Sequence, residues 1–111
     1  MPTLAYFITP HGFGHAARAC AVMAAAQHRI PDLRWEIFTR TPEWFFAESL
    51  TGPYTLHSTD TDVGLVQVDA LRADLSATVE RLAGLLPFSS ERVTKLAAQV
   101  TTLGCAAILC D

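Results

Sequence analysis

The spacing of apolar positions changes repeatedly along this chain, and each change marks an element. Leu4-Ala5-Tyr6-Phe7-Ile8-Thr9 is a continuous apolar run, the pattern of a strand buried on both faces of a parallel sheet. From about His15 to Arg29 the apolar residues are almost all small, with Ala16, Ala17, Ala19, Cys20 and Ala21 in close succession. That predicts a smooth helix able to lie close on a sheet, ended by Pro31. Arg34 to Thr39 predicts a second strand, and Thr41-Pro42 supplies the cap and first-turn proline of a short helix through Ser49. Beyond Gly52-Pro53, the alternation from Tyr54 to Thr59 predicts a third strand near a sheet edge.

Asp60 to Val68 is expected to be a loop, long enough for a functional role to be considered. Asp69 is then expected to cap a helix in which Leu71, Leu75, Val79, Leu82 and Leu86 follow helical spacing up to Pro87. Ser89 or Ser90 caps another, with Val93, Leu96, Ala97, Val100 and Leu103 on one face and Gly104 as its stop. Ala106 to Cys110 predicts a fourth strand that delivers Asp111 at its carboxyl end. The alternation implies an α/β, Rossmann-like parallel sheet, and right-handed crossovers order the strands 3-2-1-4. Ligands of such sheets lie beyond the carboxyl ends of the strands, where the order reverses. The turn after the first strand and Asp111 are therefore expected to be neighbours.

Composition narrows the reading. At 111 residues the chain supports at most one domain, and with half its residues hydrophobic and 17% charged it is rich in apolar side chains for its size. That excess points to a covering partner or further domain. The net charge is -3, and no basic stripe is present to neutralise nucleic acid or an anionic membrane. The longest apolar run, Ala19 to Ala26, is far short of the ~20 residues of a membrane span. The start Met1-Pro2-Thr3 carries no signal-peptide pattern, so a cytoplasmic location is the default expectation. Cys20, Cys105 and Cys110 form no C-x-x-C pair and are expected to be small core residues.

Candidate chemistry centres on the turn Pro10-His11-Gly12-Phe13-Gly14-His15-Ala16-Ala17-Arg18. Gly12 and Gly14 permit a tight strand-to-helix reversal and bring the backbone, with the positive end of the helix, close to a ligand. His15 lies in the first helical turn, and an imidazole titrates near pH ~6.5, suited to taking a proton from a hydroxyl. If Asp111 reached its other ring nitrogen, it would fix the tautomer and stabilise the imidazolium. The alternative is a histidine that merely satisfies the helix end. His11 and Arg18 are candidate ligand contacts, or else a turn residue and a solvated arginine. Asp60 and Asp62 lack the rest of a calcium loop, so no metal site is expected. Trp35 and Trp44 are expected in the core rather than as a sugar-stacking platform. Gly12-Phe13-Gly14-His15-Ala16-Ala17 also satisfies G-x-G-x-x-A, a dinucleotide fingerprint, although Thr39-Arg40 stands where a ribose-binding acid is expected.

The segment Ile8 to Arg18, together with Val63-Gly64-Leu65-Val66-Gln67-Val68-Asp69-Ala70-Leu71 and the closing Ile108-Leu109-Cys110-Asp111, resembles the N-terminal half of GT-B glycosyltransferase-like proteins. It is similar to the glycosyltransferase-like region of plant-type arabinose kinases and to bacterial relatives, over essentially residues 1–111. The resemblance implies an N-terminal Rossmann-like domain that holds the acceptor, facing a second domain, absent here, that binds a nucleotide-sugar as co-substrate. It implies inverting, metal-independent transfer with no further cofactor, with His15 as general base and Asp111 orienting it. His11, Gly12, Phe13, Gly14 and Arg18 would contact substrate. In kinase-linked relatives the motif does not guarantee activity, so a non-catalytic sugar or nucleotide-sugar module remains an alternative, as does a dinucleotide-binding domain. Alone, the chain is expected to hold half a site, and its apolar surface would be covered by the missing domain or by a second copy.

Overall fold

A computed structural model describes residues 2–111. In chain order the elements are β1 (Thr3–Phe7), α1 (Gly14–Arg29), β2 (Arg34–Thr39), α2 (Glu43–Ser49), β3 (Tyr54–Ser58), β4 (Val66–Asp69), β5 (Arg72–Asp74), α3 (Leu75–Leu85), α4 (Ser90–Thr102) and β6 (Ala107–Cys110). Four strands form a sheet in the order β3-β2-β1-β6. All three of its pairings are parallel. The fold is an α/β, Rossmann-like sheet, and β6 is the fourth strand that the sequence predicts. Tyr6 lies in register with Ile37 on one side and Leu109 on the other, which brings the carboxyl ends of β1, β2 and β6 to one rim.

Strand alternation divides the core between two faces of unequal quality. On one face Tyr6, Ile8, Trp35 and Ile37 meet Ala16, Ala19, Cys20 and Met23 of α1 and Phe46 of α2. Alanines at the contact let α1 approach closely, so even small residues there are fully buried. On the other face Ala5 and Phe38 pack with Val100 of α4, and Phe7, Leu103 and Cys105 are partly buried around them. Among the described residues no helix is long and apolar enough to cross a membrane.

Several expectations are corrected. Residues 60–65 are loop and 75–85 helix as expected, but the end of the expected loop and the start of the expected helix form an antiparallel hairpin of β4 and β5. Asp69 does not cap a helix: its carboxylate accepts from the backbone N–H groups of Leu71 and Arg72, closing the hairpin turn. The helix begins later, where the Asp74 carboxylate accepts from Ala77 N–H. The Leu71, Leu75 and Val79 stripe is helically spaced only in part and is exposed throughout, with Leu71 at 95%. Ser89 rather than Ser90 caps α4, accepting from Arg92 N–H. Cys20 is buried as expected, but Cys105 is half-buried and Cys110, on the edge strand β6, is exposed. Trp35 is core and Trp44 is not; Trp44 is half exposed on α2, packed against Phe13 and Phe45.

Candidate functional site

The turn after β1 is built by two glycines that do different things. Gly12 has φ +55°, in the left-handed region where a side chain is strained. Gly14 has an ordinary φ and opens α1, and nothing lies within 4 Å of where its Cβ would be. Phe13 caps the helix without any side-chain hydrogen bond, so the first amides of α1 are left for solvent or ligand. Phe13 stacks on Phe45 at 5.1 Å between ring centroids and leans on Trp44 at 5.4 Å, which forms a half-exposed aromatic ledge beside the turn.

His15 and Arg18 are three residues apart and share one face of α1. Both reach Asp111, which β6 carries to the rim beside β1; its backbone is fixed there by Asp111 N–H to Phe7 C=O and Thr9 N–H to Asp111 C=O. His15 Nδ1 lies 2.9 Å from Asp111 Oδ1. Arg18 donates Nε to Oδ2 at 2.7 Å and Nη2 to Oδ1 at 2.5 Å, a two-pronged grip on the carboxylate. The bond from Arg18, and then that from His15, hold the Asp111 carboxyl far below the usual aspartate range, against the opposing effect of burial. An ionised carboxylate only accepts, so the shared proton resides on Nδ1 of His15. Nε2 of the neutral ring then carries the lone pair. The Asp111 side chain is 7% exposed while that of His15 is 40% exposed, so the orienting group is enclosed and the ring it orients faces solvent.

The other residues singled out in the sequence are distributed around this centre. His11 Nε2 stands 3.6 Å from Asp62 Oδ2, an ion-pair distance rather than a hydrogen bond. Its ring lies against Gly64, where a Cβ would come within 1.9 Å of Nδ1. The turn after β1 and the loop after β3 thereby meet at one imidazole. Arg18, expected as a ligand contact, uses its guanidinium on Asp111. The D-x-D pair diverges: Asp60 holds Arg40, and Asp62 faces His11 and its own Val63 N–H. At the end of β2, where a dinucleotide site would place an acid, Thr39 is buried with its hydroxyl donating to Ile8 C=O.

Three cavities open along the same rim. One of about 450 Å³ is apolar, lined by Phe7, Phe88, Leu96, Val100 and Ile108 and reaching Asp111. One of about 530 Å³ adjoins Pro10 and His11, and one of about 630 Å³ lies over the end of β3. His15 stands beside these chambers rather than in their walls.

Sequence reasoning missed a second polar group. Glu36, in the middle of β2 and 4% exposed, accepts from His57 Nε2 at 2.7 Å and from Arg34 Nε at 3.3 Å. The His57 ring stacks on Phe38 at 4.6 Å, and Gln99 of α4 approaches its Nδ1. A charged residue within an apolar strand pattern was the available signal, since a buried carboxylate requires such partners. The group lies within the sheet face under α4 and belongs to the packing.

A parallel Rossmann-like sheet with a carboxylate-oriented histidine at its reversal point defines a class of α/β domains, not one activity. The comparisons narrow it modestly. The chain is 35% identical over 81 residues to L-arabinokinase of Arabidopsis thaliana, a match covering 69% of this chain and 7% of that protein. The chain thus has a sugar-related kinase relative and spans a small part of its length. No family model matches the chain, and no solved structure matches it.

Proposed function

We propose that this chain is the acceptor-side domain of an inverting, metal-independent glycosyltransferase-like protein that uses a nucleotide-sugar donor and forms the N-terminal half of a GT-B architecture. The observation that carries the reading is the hydrogen bond between His15 Nδ1 and Asp111 at the carboxyl end of the sheet. In the proposed step, His15 Nε2 takes the proton of an acceptor hydroxyl as its oxygen bonds to the anomeric carbon. The bond from that carbon to the nucleoside diphosphate breaks, and its electron pair leaves on the phosphate oxygen. Asp111 stabilises the imidazolium, and Arg18 positions Asp111. The half-exposed ledge of Phe13 and Trp44 offers a surface on which a sugar ring can stack.

The test is nucleoside diphosphate release from nucleotide-sugars by the whole gene product and by its His15→Ala variant. A general base contributes about 10²–10⁴-fold, so a loss below about tenfold with binding unchanged overturns the base role.

The similarity to a part of L-arabinokinase favours a second reading, a non-catalytic sugar or nucleotide-sugar module that regulates an attached enzyme. It predicts ligand binding without turnover, and affinity that survives Asp111→Asn. Measured transfer would end it.

A further inference from the structure

The chain has eight basic residues against eleven acidic ones, yet its cations are not spread evenly. Arg40 after β2 and Arg92 on α4 line both of the cavities that adjoin His11 and the end of β3, Arg81 on α3 lines the one beside His11, and Lys95 on α4 lines the one over β3. Only Asp60 and Asp62 oppose them there. A rim carrying four cations and two carboxylates stands on a protein whose overall charge is -3.

The arrangement is held in place around Asp60. The Asp60 carboxylate receives Arg40 Nε at 2.8 Å and Nη2 at 3.3 Å, and Arg40 Nη1 also donates to the Ser58 hydroxyl at 3.0 Å. The backbone carbonyl of Asp60 accepts from Arg92 Nη2. One residue thus ties the end of β2 and the start of α4 to the loop after β3, and Asp60 and Arg92 line all three cavities. Asp60 is itself held below the ordinary aspartate range, first by its hydrogen bond from Arg40, so it remains a fixed anion that organises the cluster. Arg81 and Lys95 make no hydrogen bond or ion pair among the described residues, and both side chains are exposed. Two anchored guanidiniums, flanked by the Arg81 guanidinium on one side and the Lys95 ammonium on the other, suit the spread oxygens of a phosphate.

We propose that the Arg40–Arg81–Arg92–Lys95 rim binds the phosphate group of a small-molecule ligand, which makes the acceptor taken by this domain a phosphate ester. The assignment of that ligand as acceptor rests on the transferase reading; the phosphate site does not. It lies over β2, β3 and α4, on the His11 side of the turn, whereas the amides heading α1 lie on the His15 side. The apolar chamber reaching from Arg92 to Asp111 would take the body of the ester and lead its hydroxyl toward His15.

The experiment is a two-dimensional NMR titration of the 111-residue protein with inorganic phosphate, using chloride at equal ionic strength as the control. Saturable shifts are expected at residues 40, 58–64, 81 and 92–95, weakening as salt rises from about 0.02 to about 0.3 M. Arg81→Ala and Lys95→Ala alter exposed side chains without hydrogen-bond partners, so the fold is retained. Each is expected to weaken binding about threefold and the pair about tenfold, while His15→Ala leaves it within twofold. Non-saturating shifts, shifts equal to those with chloride, or an unchanged affinity in the double variant would overturn the proposal. Phosphate binding together with a fully active His15→Ala protein would sink the transferase base and spare this site; His15-dependent turnover without phosphate binding would do the reverse.

Discussion

The two halves of the chain fold to different depths. Of the buried apolar residues, all but Leu85 and Val100 fall at or before Leu50. In the first half the order strand, helix, strand, helix lays α1 and α2 directly on one sheet face, and Trp35, Met23, Ile37 and Phe46 are sealed between them. The second half has a comparable supply of large apolar side chains, but Leu75, Val79, Val93 and Ile108 are each more than half exposed. Apolar periodicity therefore specifies that a side of an element is greasy without specifying that this chain covers it. The candidate site bridges the difference: His15 and Arg18 come from the well-packed half and Asp111 from the open edge strand.

The largest expected effect separates the halves by stability. Phe46→Ala removes a fully buried ring and should cost about 3–5 kcal/mol. Val79→Ala, on the exposed face of α3, should stay within about 0.5 kcal/mol. Urea unfolding of both variants checks the contrast, and similar midpoints would mean that the two halves are equally packed in solution.

Next comes the residue that joins them. Asp111→Asn removes an ionised acceptor from Arg18 and His15 and should cost about 1–2 kcal/mol near neutrality, the exposure of both partners limiting the effect. The sign with pH is fixed by the direction of the shift. The carboxyl is depressed in the folded protein, so its contribution is complete above the ordinary aspartate value of about 4 and is lost as pH falls toward the folded value. Acid unfolding should therefore be shallower in Asp111→Asn than in the parent protein. Some acid sensitivity will persist, because Asp60 and Asp69 are also depressed by their arginines. Superimposable acid limbs would show that the Asp111 contacts are not populated in solution.

Capping gives a smaller and more local test. Asp74→Ala removes the side-chain cap of α3 and should cost about 1 kcal/mol. Because α3 buries Leu85 alone, amide exchange is expected to quicken in α3 while β1 and β2 keep their protection. Uniform acceleration across the chain would mean that the halves unfold together.

These contrasts also explain what the sequence could reveal. The continuous apolar run of β1 and the order β3-β2-β1-β6 were legible because a two-sided parallel strand leaves a pattern that few other structures produce. The meeting of His15 with Asp111 was legible from topology, since the first and fourth strands flank the reversal. The grip of Arg18 on Asp111 was available in its three-residue spacing from His15, but an arginine one turn into a helix has many other uses. The hairpin was hidden because Asp69 suits a helix cap and a turn equally, and which amides it accepts from is decided by the pairing of Val66 with Asp74. The Arg40–Asp60 pair needed the carboxyl ends of β2 and β3 side by side, which spacing along the chain does not announce.

The smallest expected effect bears hardest on the comparison. Leu71, at 95% exposure, sits at the tip of the hairpin between β4 and β5. Replacing it by serine removes no internal contact, so Leu71→Ser should leave the unfolding midpoint unchanged within about 0.5 kcal/mol at low protein concentration. Measured across a range of protein concentration, the same variant also reports whether a second copy covers the exposed hairpin tip. A loss above about 1 kcal/mol that grows with concentration would mean that it does. A loss independent of concentration would mean that the hairpin folds back on its own chain. Either result would relocate the boundary between the packed and open halves, whereas no change leaves the hairpin tip as surface that the 111 residues fold without covering.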